Sequence, residues 1–151
     1  MRAALAFLTP LPVGAGPPGN RTLRWFAVAG AVVGLVVGGS WWAAGEVLPA
    51  LVAAGVVVLV DVAVTGALHL DGLADSADGL LSHQPTPERR QAVMAAPDVG
   101  AFGISAVATV LILRWSTFAS VDPDIVVVAA LWSASRGAMA VALVAVPYVG
   151  G

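Results

Sequence analysis

Four apolar runs of membrane-spanning length constrain this chain more than any other feature. They cover about residues 25–44, 50–70, 99–119 and 125–146, each long enough as a helix to cross a ~30 Å hydrocarbon core. Inside a bilayer no water serves the backbone amides, and the α-helix satisfies them within one segment. The expected fold is therefore all-α. It is a polytopic transmembrane helix bundle in one integral-membrane domain over residues 1–151, with an interfacial amino-terminal segment and an acidic motif exposed to water. Composition agrees: 59% of the 151 residues are hydrophobic and 11% charged, with mean hydropathy +0.92. Soluble domains carry roughly 25% charged residues.

Several function classes fall away at once. All 7 basic residues are arginine and none forms a run, so the basic face that nucleic acid requires is missing and no nucleic-acid partner is expected. The chain has no cysteine, which excludes disulfides, thiolate metal sites and cysteine nucleophiles. Before Pro10 and Pro12 the amino terminus offers one arginine and a short apolar stretch, so no cleaved signal peptide is expected.

The segment Leu5–Leu8 is followed by Thr9-Pro10-Leu11-Pro12 and a Gly/Pro stretch from Gly14 to Gly19. That density forbids a helix beyond about residue 8 and predicts an extended loop. In the first run Gly30, Gly34, Gly38 and Gly39 place small residues where another helix can approach closely, and Trp41 and Trp42 suit an aromatic belt. Asp61 lies near the middle of the second run. An unpaired carboxylate there costs roughly 2.5–3.5 kcal/mol on insertion scales, so it must face the bundle interior. It does so either as a neutral hydrogen-bonded group or as a supporting partner of the acidic motif. Thr86 is placed to cap a short helix that starts at Pro87 and runs to about Ala96. Arg114 and Trp115 stand near the far end of the third run, and Ser133, Ser135 and Arg136 lie inside the fourth.

The candidate site is His69-Leu70-Asp71-Gly72-Leu73-Ala74-Asp75-Ser76-Ala77-Asp78-Gly79, where the second apolar run meets water. Asp71, Asp75 and Asp78 fall at i, i+4 and i+7, within an arc of about 60° on a helix. Carboxylates crowded on one face repel one another unless a cation neutralises them, and an oxygen-only set suits Mg²⁺ or Mn²⁺. Mg²⁺ commonly bridges one or two carboxylates to a substrate phosphate, so the cluster predicts a metal–phosphate site at a membrane surface. One of the three aspartates, or His69, is a candidate to accept a proton. His69 lies about 160° round from Asp71 on an unbroken helix and joins the site only if the helix breaks near Gly72. Gly72 and Gly79 permit close backbone approach to a phosphate, and Gly79 is equally a candidate helix end. Arg136 sits too deep to be a topology anchor, and so it pairs with an acid such as Asp61 or reaches a phosphate. Arg89 and Arg90 lie near the mouth, as solvated topology signals or as steering charges.

The acidic motif resembles the signature of the adenosylcobinamide-GDP ribazoletransferases, also called cobalamin or cobalamin-5′-phosphate synthases. Phe7-Leu8-Thr9-Pro10-Leu11-Pro12-Val13 is similar to that family's amino-terminal segment. Met94 through Gly103, with Gly100 and Gly103, is similar to its Met-x-x-x-x-x-Gly-x-x-Gly stretch, and Ser135-Arg136 looks like its intramembrane Ser-Arg pair. The resemblance implies a Mg²⁺-dependent transferase of cobalamin biosynthesis in the bacterial cytoplasmic membrane. It would join adenosylcobinamide-GDP to α-ribazole or its 5′-phosphate and release GMP. Asp71, Asp75 and Asp78 would then hold the metal, with Arg136, Ser135, Gly72 and Gly79 at the substrate. Two departures stand out. Ala95 and Ala96 replace a basic residue and an acid common in the family, leaving Asp98 as the nearest acid. The resemblance also implies further membrane helices where this chain ends, at Pro147–Gly151, so a chain shortened at its carboxyl end is expected.

Two alternatives stay open. Asp75-Ser76-Ala77-Asp78-Gly79 also looks like the opening of the CDP-alcohol phosphotransferase signature, whose remaining residues do not follow. A cation transporter or channel would use Asp61 and the aspartates as an ion path. Assembly into a homo-oligomer is open as well.

Arginine placement orients the bundle. Arg2, Arg21, Arg24, Arg89 and Arg90 fall on one side and only Arg114, at an edge, on the other. Positive-inside bias puts both termini and the acidic motif in the cytoplasm. A cysteine introduced as Ser82→Cys is therefore labelled by a membrane-impermeant thiol reagent from the cytosolic side, and labelling from outside reverses the topology.

Overall fold

The computed structural model describes residues 1–12, 19–83 and 86–146, and all regular structure among them is helical. The elements are α1 (Arg2–Leu8), α2 (Asn20–Leu23), α3 (Phe26–Gly45), α4 (Ala50–Thr65), α5 (Leu68–Leu81), α6 (Pro87–Met94), α7 (Ala101–Ser120) and α8 (Ile125–Ala145). Most of the expected loop after Pro12, and the chain end at Pro147–Gly151, lie outside the described residues.

Three helices are long and apolar enough to cross a membrane, and the α4–α5 pair makes a fourth crossing if counted as one bent span. Their outward faces are apolar: Ile104, Ile112, Leu113, Val126, Val141 and Val144 are all exposed. Such a surface suits lipid rather than water. The chain is thus an all-α polytopic bundle.

Because lipid tails are as apolar as leucine, helices in a membrane associate through close packing and hydrogen bonds rather than through expulsion of water. The α3–α8 seam follows that rule. A Cβ at Gly30 would lie 2.6 Å from the Trp132 carbonyl oxygen, one at Gly34 2.7 Å from Ala129 Cα, and one at Gly38 3.0 Å from Ile125 Cα. These glycines let α8 rest directly on the backbone of α3, whereas Gly39 faces open space. Beyond the seam, Val33, Val37 and Trp41 of α3 join Ala54 and Val57 of α4, Phe118 of α7 and Val128 of α8 in one buried cluster. Trp41 meets Phe118 edge-on, with ring centroids 4.8 Å apart. The amino-terminal α1 ends at Leu8, before the prolines, and buries Ala4 and Leu8 against Phe26 and Ala29.

The second apolar run does not continue straight to Leu70. Gly66 and Ala67 both take left-handed backbone, each with φ of 58°, and the chain turns by 87° between α4 and α5. Glycine adopts that conformation freely, while Ala67 pays roughly 1–2 kcal/mol for it. A Cβ at Gly66 would touch the Pro10 ring at 3.4 Å, so the amino-terminal segment lies against the bend. The acidic motif therefore rides on a separate helix. Further on, α6 starts at Pro87 under a Thr86 cap, whose hydroxyl oxygen accepts the Arg89 amide. The Glu88 backbone N–H and the Thr86 side chain hold the Glu88 carboxyl below its ordinary range.

The α3–α8 seam gives a direct check. Gly34→Val pushes against Ala129 and Trp132 and lowers stability by about 1–3 kcal/mol, read as a lower thermal midpoint in detergent. Gly39→Ala, whose methyl meets nothing within 4 Å, leaves the midpoint unchanged or slightly raised.

Candidate functional site

The motif aspartates share one helix but not one environment. α5 is unbroken from Leu68 to Leu81, so Asp71, Asp75 and Asp78 project from one face as their spacing predicts. Asp71 is exposed and Asp75 half-buried, and neither has a protein hydrogen-bond or ion-pair partner among the described residues. Asp78 is buried against the start of α7. Its Oδ2 accepts the Gly100 amide at 2.7 Å and its Oδ1 accepts the Gly103 amide at 2.9 Å. Among the described residues no group of three or more His, Asp or Glu side chains is drawn together in a metal cluster. What faces outward is a pair of uncompensated carboxylates one turn apart. Such a pair can take a hydrated divalent cation whose remaining positions go to water or phosphate oxygens.

The glycines of the motif divide in the same way. Gly72 is exposed with open space around its Cβ position, so a ligand's phosphate can come close to that backbone. Gly79 does not end the helix, which runs on to Leu81. A Cβ there would fall 2.5 Å from both Cγ and Cε of Met94, so Gly79 is small in order to receive α6. The helix does not break at Gly72, so His69 stays on another face of α5 from Asp71. It is half-buried there, in the fields of Arg136, Asp61 and Arg114. Asp98 is exposed just ahead of α7, and Arg89 and Arg90 are exposed on α6, which packs on α5.

A second polar group lies inside the bundle. Asp61 is buried and ion-paired with Arg114 at 2.5 Å, and the Trp132 indole N–H donates to it at 2.9 Å. Arg114 is thus half-buried, with its guanidinium turned to Asp61. It holds the place that Arg136 was one candidate to fill. Arg136, 5% exposed, lies over the Trp132 ring with its guanidinium carbon 5.9 Å from the centroid, and donates weakly to the Ser135 hydroxyl at 3.4 Å. Among the described residues it has no carboxylate partner. Arg114, Trp132, Ser135 and Arg136 line a cleft of about 530 Å³ between α7 and α8, walled otherwise by apolar groups such as Leu113 and Leu131.

Sequence reasoning missed the Asp78–α7 contact and the Asp61–Arg114 pair. Each had a signal. α7 begins Gly-x-x-Gly with no side chain of its own to cap it, so its first amides need an outside acceptor. Asp61 and Arg114 are opposite charges set in separate apolar runs, and such charges pair.

Fold and charge placement together define a multi-pass membrane protein with an acidic helix set across the end of one of its spans. The family model described as cobalamin-5-phosphate synthase matches residues 1–151, and the chain belongs to that family. Curated relatives named adenosylcobinamide-GDP ribazoletransferase bear this out. The protein from Novosphingobium aromaticivorans is 42% identical over 119 residues, 74% of this chain and 48% of the relative. That from Desulfitobacterium hafniense is 40% identical over 123 residues, 77% of this chain and 47% of the relative. That from Ralstonia pickettii is 36% identical over 156 residues, 97% of this chain and 60% of the relative. The chain thus spans about half the length of the curated relatives it matches. No solved structure matches it.

The interior pair is tested by removing one partner. Asp61→Leu strands Arg114 without its counter-charge and costs about 3 kcal/mol in unfolding experiments in detergent, while the Asp61→Leu/Arg114→Met double variant regains most of the loss.

Proposed function

We propose that this chain carries the reaction for which its relatives are named, transfer of an adenosylcobinamide phosphoryl group from its GDP-linked form to α-ribazole or α-ribazole 5′-phosphate. The observation that carries the proposal is the match to the family along all of residues 1–151, with the acidic helix presenting Asp71 and Asp75 free of protein partners among the described residues. A ribazole hydroxyl attacks the pyrophosphate phosphorus next to cobinamide. The new P–O bond forms as the bond to GMP breaks, and the hydroxyl proton leaves to a nearby base.

The donor set fits a hydrated magnesium ion held by Asp71 and Asp75, since hard oxygen ligands and room for water are what that ion requires. Bound there, the ion would supply neutralisation of the pyrophosphate and of the charge growing on the departing GMP. Gly72 leaves the α5 backbone open to the phosphates. Asp75, half-buried on the same face, is a candidate base for the hydroxyl proton, and His69, on another face, is the alternative. Arg136, desolvated and without a carboxylate partner among the described residues, is a cation placed for an anionic part of the GDP-linked substrate, with Ser135 beside it. Arg89 and Arg90 draw anions toward the mouth. The site opens to the cytoplasm, in the cytoplasmic membrane, on the side that arginine placement favours.

The test is GMP release by the protein in lipid, from adenosylcobinamide-GDP and α-ribazole 5′-phosphate, with and without EDTA. Release requires both Mg²⁺ and the ribazole partner, and Asp75→Asn lowers it by at least about 100-fold. Unchanged turnover in Asp75→Asn rejects the metal assignment. Arg136→Ala raises KM for the GDP-linked substrate about tenfold and leaves that for the hydroxyl partner alone. Cation flux without any nucleotide requirement would instead favour the transporter reading.

A further inference from the structure

We propose that Asp78 is a positioning residue: its carboxylate clamps the start of α7 and thereby aims the Asp71–Asp75 face of α5, instead of joining those residues on a metal. The catalytic part of this inference rests on the function proposed above, while the clamp itself does not.

Both oxygens of Asp78 are committed, one to the Gly100 amide at 2.7 Å and one to the Gly103 amide at 2.9 Å. Gly100 is the N-cap of α7 and Gly103 its third residue, so these are two of the amides that a helix leaves without internal acceptors. A side chain at the N-cap normally accepts the third-residue amide, and one at the third residue accepts the N-cap amide. Here both positions are glycine, and the acceptor arrives from another helix.

The two glycines are explained by the same contact. The three atoms nearest a Cβ built on Gly100 all belong to Asp78, the closest at 2.5 Å. A Cβ on Gly103 would lie 2.4 Å from Asp78 Oδ2 and 3.0 Å from the Ala74 carbonyl oxygen. Neither residue has the positive φ that would call for glycine on backbone grounds. They are small because Asp78 occupies the space. Met94 lies in the same way over Gly79, so the chain leaving α5 folds back and meets it again at Asp78-Gly79.

Electrostatics separates Asp78 from its neighbours. The positive end of the α7 dipole and two amide donors neutralise its charge where it is buried. It needs no cation. Among the described residues Asp71 and Asp75 have no such compensation. Losing the clamp frees α5 to turn relative to α7, which misdirects the two open carboxylates without removing either.

The experiment has two arms. In the first, thermal midpoints in detergent are measured for Gly100→Ala, Asp78→Ala and the double variant. Gly100→Ala lowers the midpoint by about 4 °C or more. The double variant is no less stable than Asp78→Ala, because the added methyl then has room. An unchanged midpoint in Gly100→Ala, or additive losses in the double variant, overturns the clamp.

The second arm uses Mn²⁺ as a paramagnetic probe with the protein in lipid nanodiscs. Asp78→Asn binds Mn²⁺ within about twofold of the unaltered protein, while Asp75→Asn binds about tenfold more weakly. In GMP release Asp78→Asn lowers kcat about tenfold with KM unchanged, a split that simple loss of folded protein would not produce together with retained Mn²⁺ affinity. Equal loss of Mn²⁺ affinity in Asp78→Asn and Asp75→Asn overturns the positioning role. Failure of the unaltered protein to bind Mn²⁺ or release GMP rejects the proposed function, and the thermal arm then decides the clamp by itself.

Discussion

Charge buried inside a membrane bundle must find its partner within the protein, because neither water nor lipid supplies one. Asp61 is where this constraint acts. α7 and α8 are joined by the short Val121–Asp124 turn, yet a cleft separates them, and each sends one polar group to Asp61 on α4. Arg114 comes from α7 and the Trp132 indole from α8. One carboxylate thus ties together three helices, two of which do not pack along each other. Both arginines also lie against Trp132, with guanidinium carbons 5.8 and 5.9 Å from its ring centroid. One carboxylate facing two guanidinium groups leaves the cleft with a positive balance, and this is what makes Arg136 a substrate candidate.

The bend at Gly66-Ala67 sets the relation between that interior and the acidic helix. A straight second span would have carried Asp71 off along its axis. The 87° turn lays α5 across the end of α4, putting His69 toward the interior charges and Asp78 toward α7. Both ends of α5 are then anchored. Pro10 lies against the bend at its start, and α6 and α7 meet Asp78-Gly79 near its end. Left-handed backbone at Ala67 is unfavourable for a residue with a Cβ, so the contacts that anchor α5 at its two ends must offset its cost.

What was legible in the sequence follows from range. The all-α class, the stop of α1 before Pro10, the Thr86 cap and the close approach at the α3 glycines each depend on residues a few positions apart or on composition. The bend was not legible. Leu68, His69 and Leu70 continue an apolar run, hydropathy carries no directional information, and Ala67 has no preference for left-handed backbone. The partners of Asp61 and Asp78 were not legible either, because they lie on other helices, and a spacing rule for one helix says nothing of what a second brings to it. Arg114 looked like an edge charge because only its distance from the end of the run was visible, and not which way it turned.

The acidic motif shows what such a rule leaves out. Three like charges on one face repel one another unless something compensates them. Once Asp78 is compensated by the amides of α7, only Asp71 and Asp75 remain. A like-charge pair at i and i+4 on an exposed helix costs only a few tenths of a kcal/mol. That is too little for the fold to require an ion when substrate is absent. On the function proposed here, Asp71 and Asp75 would hold a hydrated magnesium ion on their own, and the substrate's phosphates would tighten its binding. Affinity for the metal would then rise when the nucleotide is present. The open, weakly strained pair on α5 is better suited to that exchange than a closed three-carboxylate cage, which would hold the ion whether or not substrate had arrived.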